Sequence, residues 1–280
     1  MSYHATHLSD LQTAPLQQHP AFGAAMAYLG RPVLKVFLPG PAREVQVVRR
    51  RFGPVNLGLI SRADIRRDDR ARLSQCTGCR LLLVNAETPG PHPGLCLRRA
   101  GHVAELALEG GGNSWKSRMG RSWRNRLYRG LRSGLGVFHD RLPADPGHWL
   151  LRLDQARQTC RRSRGYPPVF TAAFAAANTG QARLFEARQG DTPVAALLFL
   201  CHGSVATCHI GWSGDRGRQV SAHHLLLWRA MVALAARGIT RLDLGVVDRK
   251  RHPGLTRFKL GSGAECRPLG GTWVIRLSGA

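Results

Sequence analysis

The chain has 280 residues, 43% hydrophobic and 21% charged, which excludes a disordered or low-complexity protein and allows one large domain or two ordinary ones. Its formal net charge is +24, from 41 basic against 17 acidic residues, and 37 of the basic residues are Arg and four are Lys. Such a surface attracts polyanions: nucleic acid, tRNA, anionic lipid or a ligand with several phosphates. An Arg bias of this kind also follows from a GC-rich genome.

Seven Cys, at 76, 79, 96, 160, 201, 208 and 266, are odd in number and irregular in spacing. That speaks against a disulfide framework and for reduced thiols in a cytoplasmic protein. Cys76-Thr77-Gly78-Cys79 has no second pair and no nearby His pair, so no metal is expected. The N-terminus has no apolar run, so no secretory signal is expected. The longest apolar run, 225–236, is broken by Arg229 and too short to span a bilayer.

In chain order, residues 1–20 read as a loose lead. Ala21 to Leu29 reads as a short helix ended by Gly30 and Pro32. Val33 to Leu38, Glu44 to Arg50 and Leu57 to Ile60 read as strands, and Ser61 to Ser74 as a polar helix. Arg80 to Val84 and His102 to Leu108 read as further strands. Residues 21–112 thus form a mixed first half, joined by Glu109 to Asn113 to a second half over 113–280.

Ser114 to Ser133 reads as one helix capped by Ser114. Trp115, Met119, Trp123, Leu127 and Leu131 fall on its buried stripe, and Lys116, Arg118, Arg121, Arg124, Arg126, Arg129 and Arg132 on the other side. That side is either a solvated basic face or a phosphate-facing one, since the Arg fork suits phosphate. A strand begins at Val137. Helices over Pro146 to Arg164 and Val169 to Ala177 follow. Arg183 to Arg188, Pro193 to Cys201 and Val205 to Trp212 read as antiparallel strands, with Gly190-Asp191 as a hairpin turn. Ser221 reads as the N-cap of a helix over Ala222 to Arg237, stopped by Gly238. Thr240 to Val246 is a buried strand. The basic loop Arg249 to Gly254, a short helix and a last strand, Thr272 to Leu277, close the chain.

This order, with Val194-Ala195, Gly211-Trp212, Ser221-Ala222 before Leu225 to Trp228, Asp243-Leu244-Gly245, and Pro253-Gly254-Leu255 before Arg257 to Gly261, resembles the FemAB-like branch of the GNAT acyltransferase superfamily. That branch is also called the BioF2-like acetyltransferase domain. The resemblance covers about 110 to 280. It implies an α/β (α+β) GNAT fold: a mixed, mostly antiparallel central sheet flanked by helices, in two GNAT-like halves with the first degenerate. It also implies that the Val205 to Trp212 strand splays from the Thr240 to Val246 strand to admit an acyl donor.

The resemblance further implies an N-acyltransferase that moves an acyl group, acetyl in the simplest case, from acyl-CoA to a small-molecule or peptide amine by direct attack. The alternatives are aminoacyl-tRNA as donor, or a polyanion-binding module without catalysis. Where many relatives carry a glycine-rich pyrophosphate loop, this chain has Arg216-Gly217-Arg218-Gln219-Val220-Ser221-Ala222. Arg216, Arg218, Ser221, Ala222 and His223 are therefore the expected donor-phosphate residues, at a helix N-terminus suited to anions. Lys259 matches the Lys of the family's Phe-Lys motif and is expected to stabilise an oxyanion or hold a phosphate. Asp243 and Asp248 are candidate bases or amine-orienting carboxylates. Trp212, Arg124 and Phe258 are expected at the substrate.

Overall fold

The computed structural model describes residues 11–40, 43–53, 55–161 and 165–277, in two compact units. One holds residues up to Val103 together with the stretch from Arg267, and the other runs from Ala104 to Cys266. This boundary differs from the expected division at 112/113. The last strand lies in the first unit's sheet, because it hydrogen-bonds there along its whole length.

The first unit carries α1 (Pro20–Tyr28), β1 (Leu34–Phe37), β2 (Glu44–Phe52), β3 (Val55–Ser61), α2 (Asp69–Thr77), β4 (Leu81–Ala86) and β5 (Leu95–Arg98). The second runs through β6 (His102–Ala107), α3 (Gly111–Arg118), α4 (Arg121–Leu131), β7 (Gly136–Arg141), α5 (Trp149–Arg161) and α6 (Pro168–Ala177). It continues with β8 (Ala182–Gln189), β9 (Thr192–His202), β10 (Val205–Ser213), α7 (Asp215–Gln219), α8 (Ala222–Ala235), β11 (Arg241–Val247), α9 (Pro253–Gly261) and β12 (Glu265–Pro268). The chain ends on β13 (Gly271–Arg276).

The first sheet has the order β1-β2-β3-β4-β13-β5, and the second β12-β6-β11-β10-β9-β8-β7. Their wiring repeats. In the first, β1, β2 and β3 pair antiparallel, α2 crosses over, and β4 returns parallel to β3. In the second, β8, β9 and β10 pair antiparallel, α8 crosses over, and β11 returns parallel to β10. Two halves of the expected kind are therefore present, and the fold is mixed α/β with mostly antiparallel sheets.

Local chemistry explains the elements. β9 is buried from Val194 to His202, and a strand covered on both faces reads as an unbroken apolar run. β4 instead alternates, with Leu82, Val84 and Ala86 buried and Leu81 and Leu83 exposed. The core of the second unit gathers Trp115, Trp123, Leu127, Phe199, Leu226 and Leu242.

Three expectations are corrected. Residues 1–10 lie outside the described residues, but the rest of the expected loose lead is packed: Leu16 is buried, and Gln18 Nε2 donates to the Ser61 carbonyl at 2.7 Å. The polar helix expected over 61–74 begins only at Asp69, because Ser61 completes β3; the Asp69 carboxylate, fully buried, accepts from Arg43 and from the Arg66 amide. The single helix over 114–133 is two, α3 and α4. Met119 and Gly120 are extended between them, and the Gly120 amide donates to the Gly261 carbonyl at 3.0 Å. The apolar stripe survives the break in Trp115, Met119, Trp123 and Leu127, while Leu131 is exposed.

Candidate active site

The site begins where a sheet ladder stops. β10 and β11 pair only through Val205–Arg241, Ala206–Leu242 and Thr207–Asp243, although both strands run on. Beyond Thr207 a register shift between Cys208 and Ile210 keeps β10 with β9, and β11 goes its own way. The expected splay is thus present at the expected pair of strands. A bulge of this kind re-aims backbone and opens a wedge in an otherwise closed sheet.

Lys259, from α9, fills the base of that wedge. It is buried, and its Nζ donates to the Val246 carbonyl at 2.9 Å. Gly245 stands beside it: a Cβ there would lie 3.5 Å from Nζ, and its φ of +79° is one that glycine favours. Burial lowers the Lys259 pKa, while Cys208 and Asp243 act to raise it. The Cys208 thiol is pushed up to about 11, by burial first, against the pull of Lys259. Asp243 is also buried, and its Oδ1 accepts the Gly245 amide at 2.7 Å. One ammonium, one thiol and one carboxylate therefore meet at the base of the wedge. Cys208 had no motif to mark it in the sequence; only the end of the ladder one residue earlier singles it out.

A second cluster adjoins. Phe258 packs against Trp123, His223 and His224, with ring centroids 6.1, 6.0 and 5.1 Å apart, and Trp123 Nε1 donates to the Phe258 carbonyl at 3.0 Å. His223 Nε2 lies 2.7 Å from the Trp212 carbonyl, which only accepts, so that nitrogen carries the proton. Burial lowers the pKa of both histidines, and that of His224 reaches about 4. Neither is a resident imidazolium at neutral pH. Of the expected substrate residues, Trp212 and Phe258 meet here through His223.

The N-terminus of α8 differs from expectation. Ser221 is its N-cap residue, but its side chain makes no capping hydrogen bond. Instead Ser221 has φ +60° and ψ +36°, a left-handed conformation that costs a non-glycine residue energy. The backbone thus keeps a glycine-type turn although the glycine is absent, and the helix start is buried, with Ser221 7% and Ala222 0% exposed. Beside it opens a cleft of about 540 Å³ lined by Asn125, Tyr128, Arg129, Arg132, Ser133 and Val220. Arg129 and Arg132 come from the basic side of α4 and its end, so one wall is cationic. Gly130 lets α4 approach, since a Cβ there would meet Leu225 Cβ at 3.0 Å and the Ser221 carbonyl at 3.2 Å.

The remaining expected residues are placed otherwise. Arg216 and Arg218 lie on a short helix, α7, where an open loop was expected. The α7 turn packs tightly on β9: a Cβ at Gly217 would sit 2.3 Å from the Val194 carbonyl. Arg216 donates to Gln189 at 3.0 Å, and Arg218 to Asp215 and the Ser213 carbonyl. Asp248 accepts the Lys250 and Arg251 amides at 3.1 and 2.9 Å, and these bonds, with that from Arg251 foremost, lower its pKa. Its oxygen organises a turn. Arg124 donates to the Lys116 carbonyl at 3.1 Å, tying α4 to α3.

Comparison with known proteins agrees with this geometry. Residues 118–260 match the model of a family described as an acetyltransferase (GNAT) domain. No match was found among curated proteins. The fold is similar to that of FemX, with 13% identity, a TM-score of 0.72, and 98% of this chain and 96% of that one covered. It is similar to the C-terminal domain of a protein from Agrobacterium fabrum described as a lysylphosphatidylglycerol synthetase, with 13% identity, a TM-score of 0.53, and 98% and 93% covered. A protein of unknown function from Bacteroides thetaiotaomicron is similar at 12% identity and a TM-score of 0.58, with 97% of each chain covered.

Proposed function

We propose that this chain, which belongs to the GNAT acetyltransferase family, is an N-acyltransferase that takes its acyl group from acyl-CoA. One observation carries the reading: the β10–β11 ladder stops at Thr207–Asp243 with the buried Lys259 ammonium at the base of the gap. The acceptor amine attacks the thioester carbonyl, a C–N bond forms, and negative charge gathers on the carbonyl oxygen. Lys259 spends one N–H on Val246 and has others for that oxyanion; buried donors of this kind act strongly because water does not compete. The C–S bond then breaks, the thiolate leaves and takes a proton, and the amine loses its own to solvent. Asp243, which acts on the Lys259 charge, is the carboxylate that orients the amine, while Asp248 holds its turn through Oδ1. The pantetheine arm enters the wedge, and the phosphates lie at the α8 N-terminus and against Arg129 and Arg132.

The test is a calorimetric titration of the protein with acetyl-CoA and longer acyl-CoAs, followed by turnover with an amine panel. Binding that weakens in an Arg129→Ala/Arg132→Ala variant is expected. No binding of any CoA species overturns the acyl-CoA reading.

A second reading, with aminoacyl-tRNA as donor, is favoured by the exposed arginines of α4 and its end, Arg121, Arg126, Arg129 and Arg132. They extend the cationic wall beyond what one CoA needs. Charged tRNA that binds with a steep inverse dependence on salt, where CoA does not bind, would select it.

A further inference from the structure

We propose that the bare face of the first unit's sheet docks the protein onto an anionic phospholipid bilayer. One face of this sheet is covered: Val47, Ile60, Leu82, Val84 and Ile275 pack in one cluster with Leu73 of α2. The other face follows from register. Val48, Leu59, Leu83, Val274 and Leu95 stand in one row across five strands. The next row is Arg50, Leu57, Leu81 and Arg276. Phe52 and Val55 pair beyond it, at the end of the β2–β3 hairpin.

Val48, Val55, Leu57, Leu59 and Val274 are half-buried, and the others of these apolar side chains are more open. Phe52 is 77% exposed, Leu95 68%, and Leu81 and Leu83 37% each, with Leu97 at 58% beside Leu95 on β5. A contiguous apolar patch of this extent marks an interaction surface. Arg50 and Arg276 stand in the rows of this face, and the exposed Arg98 and Arg99 lie at the end of β5 and just past it; Arg49 and Arg51, also exposed, alternate to the side of Val47. The five strands carry one carboxylate, Glu44, at the far end of β2, where it faces Lys35 at 3.8 Å.

The charge pattern chooses the occupant. Leucines and a phenylalanine give up water only against an apolar phase, and the surrounding arginines need anions around that phase. A bilayer with anionic headgroups supplies both at one surface. Nucleic acid supplies phosphates but nothing to bury four exposed aliphatic side chains. No described helix is long and apolar enough to cross a membrane, so contact of this kind is peripheral. The inference rests on the first unit alone and stands apart from the choice of acyl donor.

The test is co-sedimentation of the full chain with vesicles of phosphatidylcholine alone and of phosphatidylcholine with an equal part of phosphatidylglycerol. Binding to the mixed vesicles only, weakened by salt, is expected. Each Arg near such a surface contributes about 1 kcal/mol, so Arg50→Glu/Arg276→Glu should weaken binding by at least about fivefold per position. Phe52→Ser/Leu95→Ser should weaken it comparably at unchanged thermal stability, since both side chains are exposed. Three results overturn the proposal: equal binding to both vesicles, variants that bind like the parent, or no vesicle binding. Retention of a tRNA probe that is lost on Arg50→Glu/Arg276→Glu but not on Phe52→Ser/Leu95→Ser would assign the face to nucleic acid. A concentration-dependent dimer abolished by Leu95→Ser would assign it to a second copy.

Discussion

At the scale of residues, Lys259 is where stability and chemistry pull apart. A buried ammonium costs desolvation, and here one carbonyl and the neighbouring Asp243 offset part of it. Lys259→Met keeps the stem that packs and removes the charge. We expect it to lower turnover by at least about a hundredfold, as loss of an oxyanion donor does, while stability changes little or rises. Steady-state turnover read beside thermal unfolding separates the two; unchanged turnover removes Lys259 from the mechanism. The pH profile adds a sign. The oxyanion role needs the protonated form, and burial lowers the Lys259 pKa, so activity should fall on the alkaline side below the ordinary lysine value of 10.5. Lys259→Arg, if active, should carry that limb upward, because a guanidinium stays charged.

At the scale of elements, glycines decide how closely backbones meet. Gly217 lies in α7, where Ala would ordinarily be the better helix former. A Cβ at that position would be 2.3 Å from the Val194 carbonyl and 2.6 Å from Ser213 Oγ, so Gly217→Ala must push α7 off β9. A loss of about 1–3 kcal/mol is expected, the range of overpacking. Gly254, in the first turn of α9, has open space around it. Gly254→Ala should therefore be neutral or stabilise by up to about 1 kcal/mol. The denaturant midpoint should fall for Gly217→Ala and hold or rise for Gly254→Ala, and a stabilising Gly217→Ala would refute the close approach. This contrast marks the reach of sequence reading. The strands and helices of the second unit were legible because β9, α8 and β11 are apolar in ways that periodicity detects. The splay was legible through family resemblance alone, and Lys259 stood out separately as a lysine in an arginine-rich chain. Other features were not. The break at Met119-Gly120 answers a carbonyl at Gly261, the short α7 answers a carbonyl at Val194, and local composition holds neither. Ser221 looks like a capping serine, yet it takes a left-handed turn with no capping bond, and its carbonyl faces Gly130 of α4, a contact distant in sequence. Likewise β13 joins the first sheet by register with β4, which a single-chain pattern cannot assign.

At the scale of the whole molecule, both units hold histidines that burial keeps neutral. His19, in the first, sits near pKa 4 and uses Nδ1 to accept the Ala21 amide, which a proton there would forbid. His209, in the second, is lowered to about 4 by burial despite Asp154, and its Nε2 lies 2.8 Å from Thr171 Oγ1. His224 is lowered to about 4 by burial, with Arg126 and His223 also opposing a proton. In the unfolded chain each titrates near 6.5. Between that value and about 4 the unfolded state binds more protons than the folded one, so folding weakens as the pH falls. The stability these groups contribute is complete above about 6.5 and is lost progressively toward 4. Carboxylates add little until about pH 5, which leaves a window from about pH 7 to about pH 5 in which histidine dominates. Urea unfolding across that window should show a falling midpoint at nearly constant slope. His209→Gln/His224→Gln should make the dependence shallower without abolishing it, because His19 in the first unit and His148 and His223 in the second are also lowered by burial. A midpoint independent of pH in this window would mean that the folded chain protonates these rings freely, and that they are not held as the structure places them.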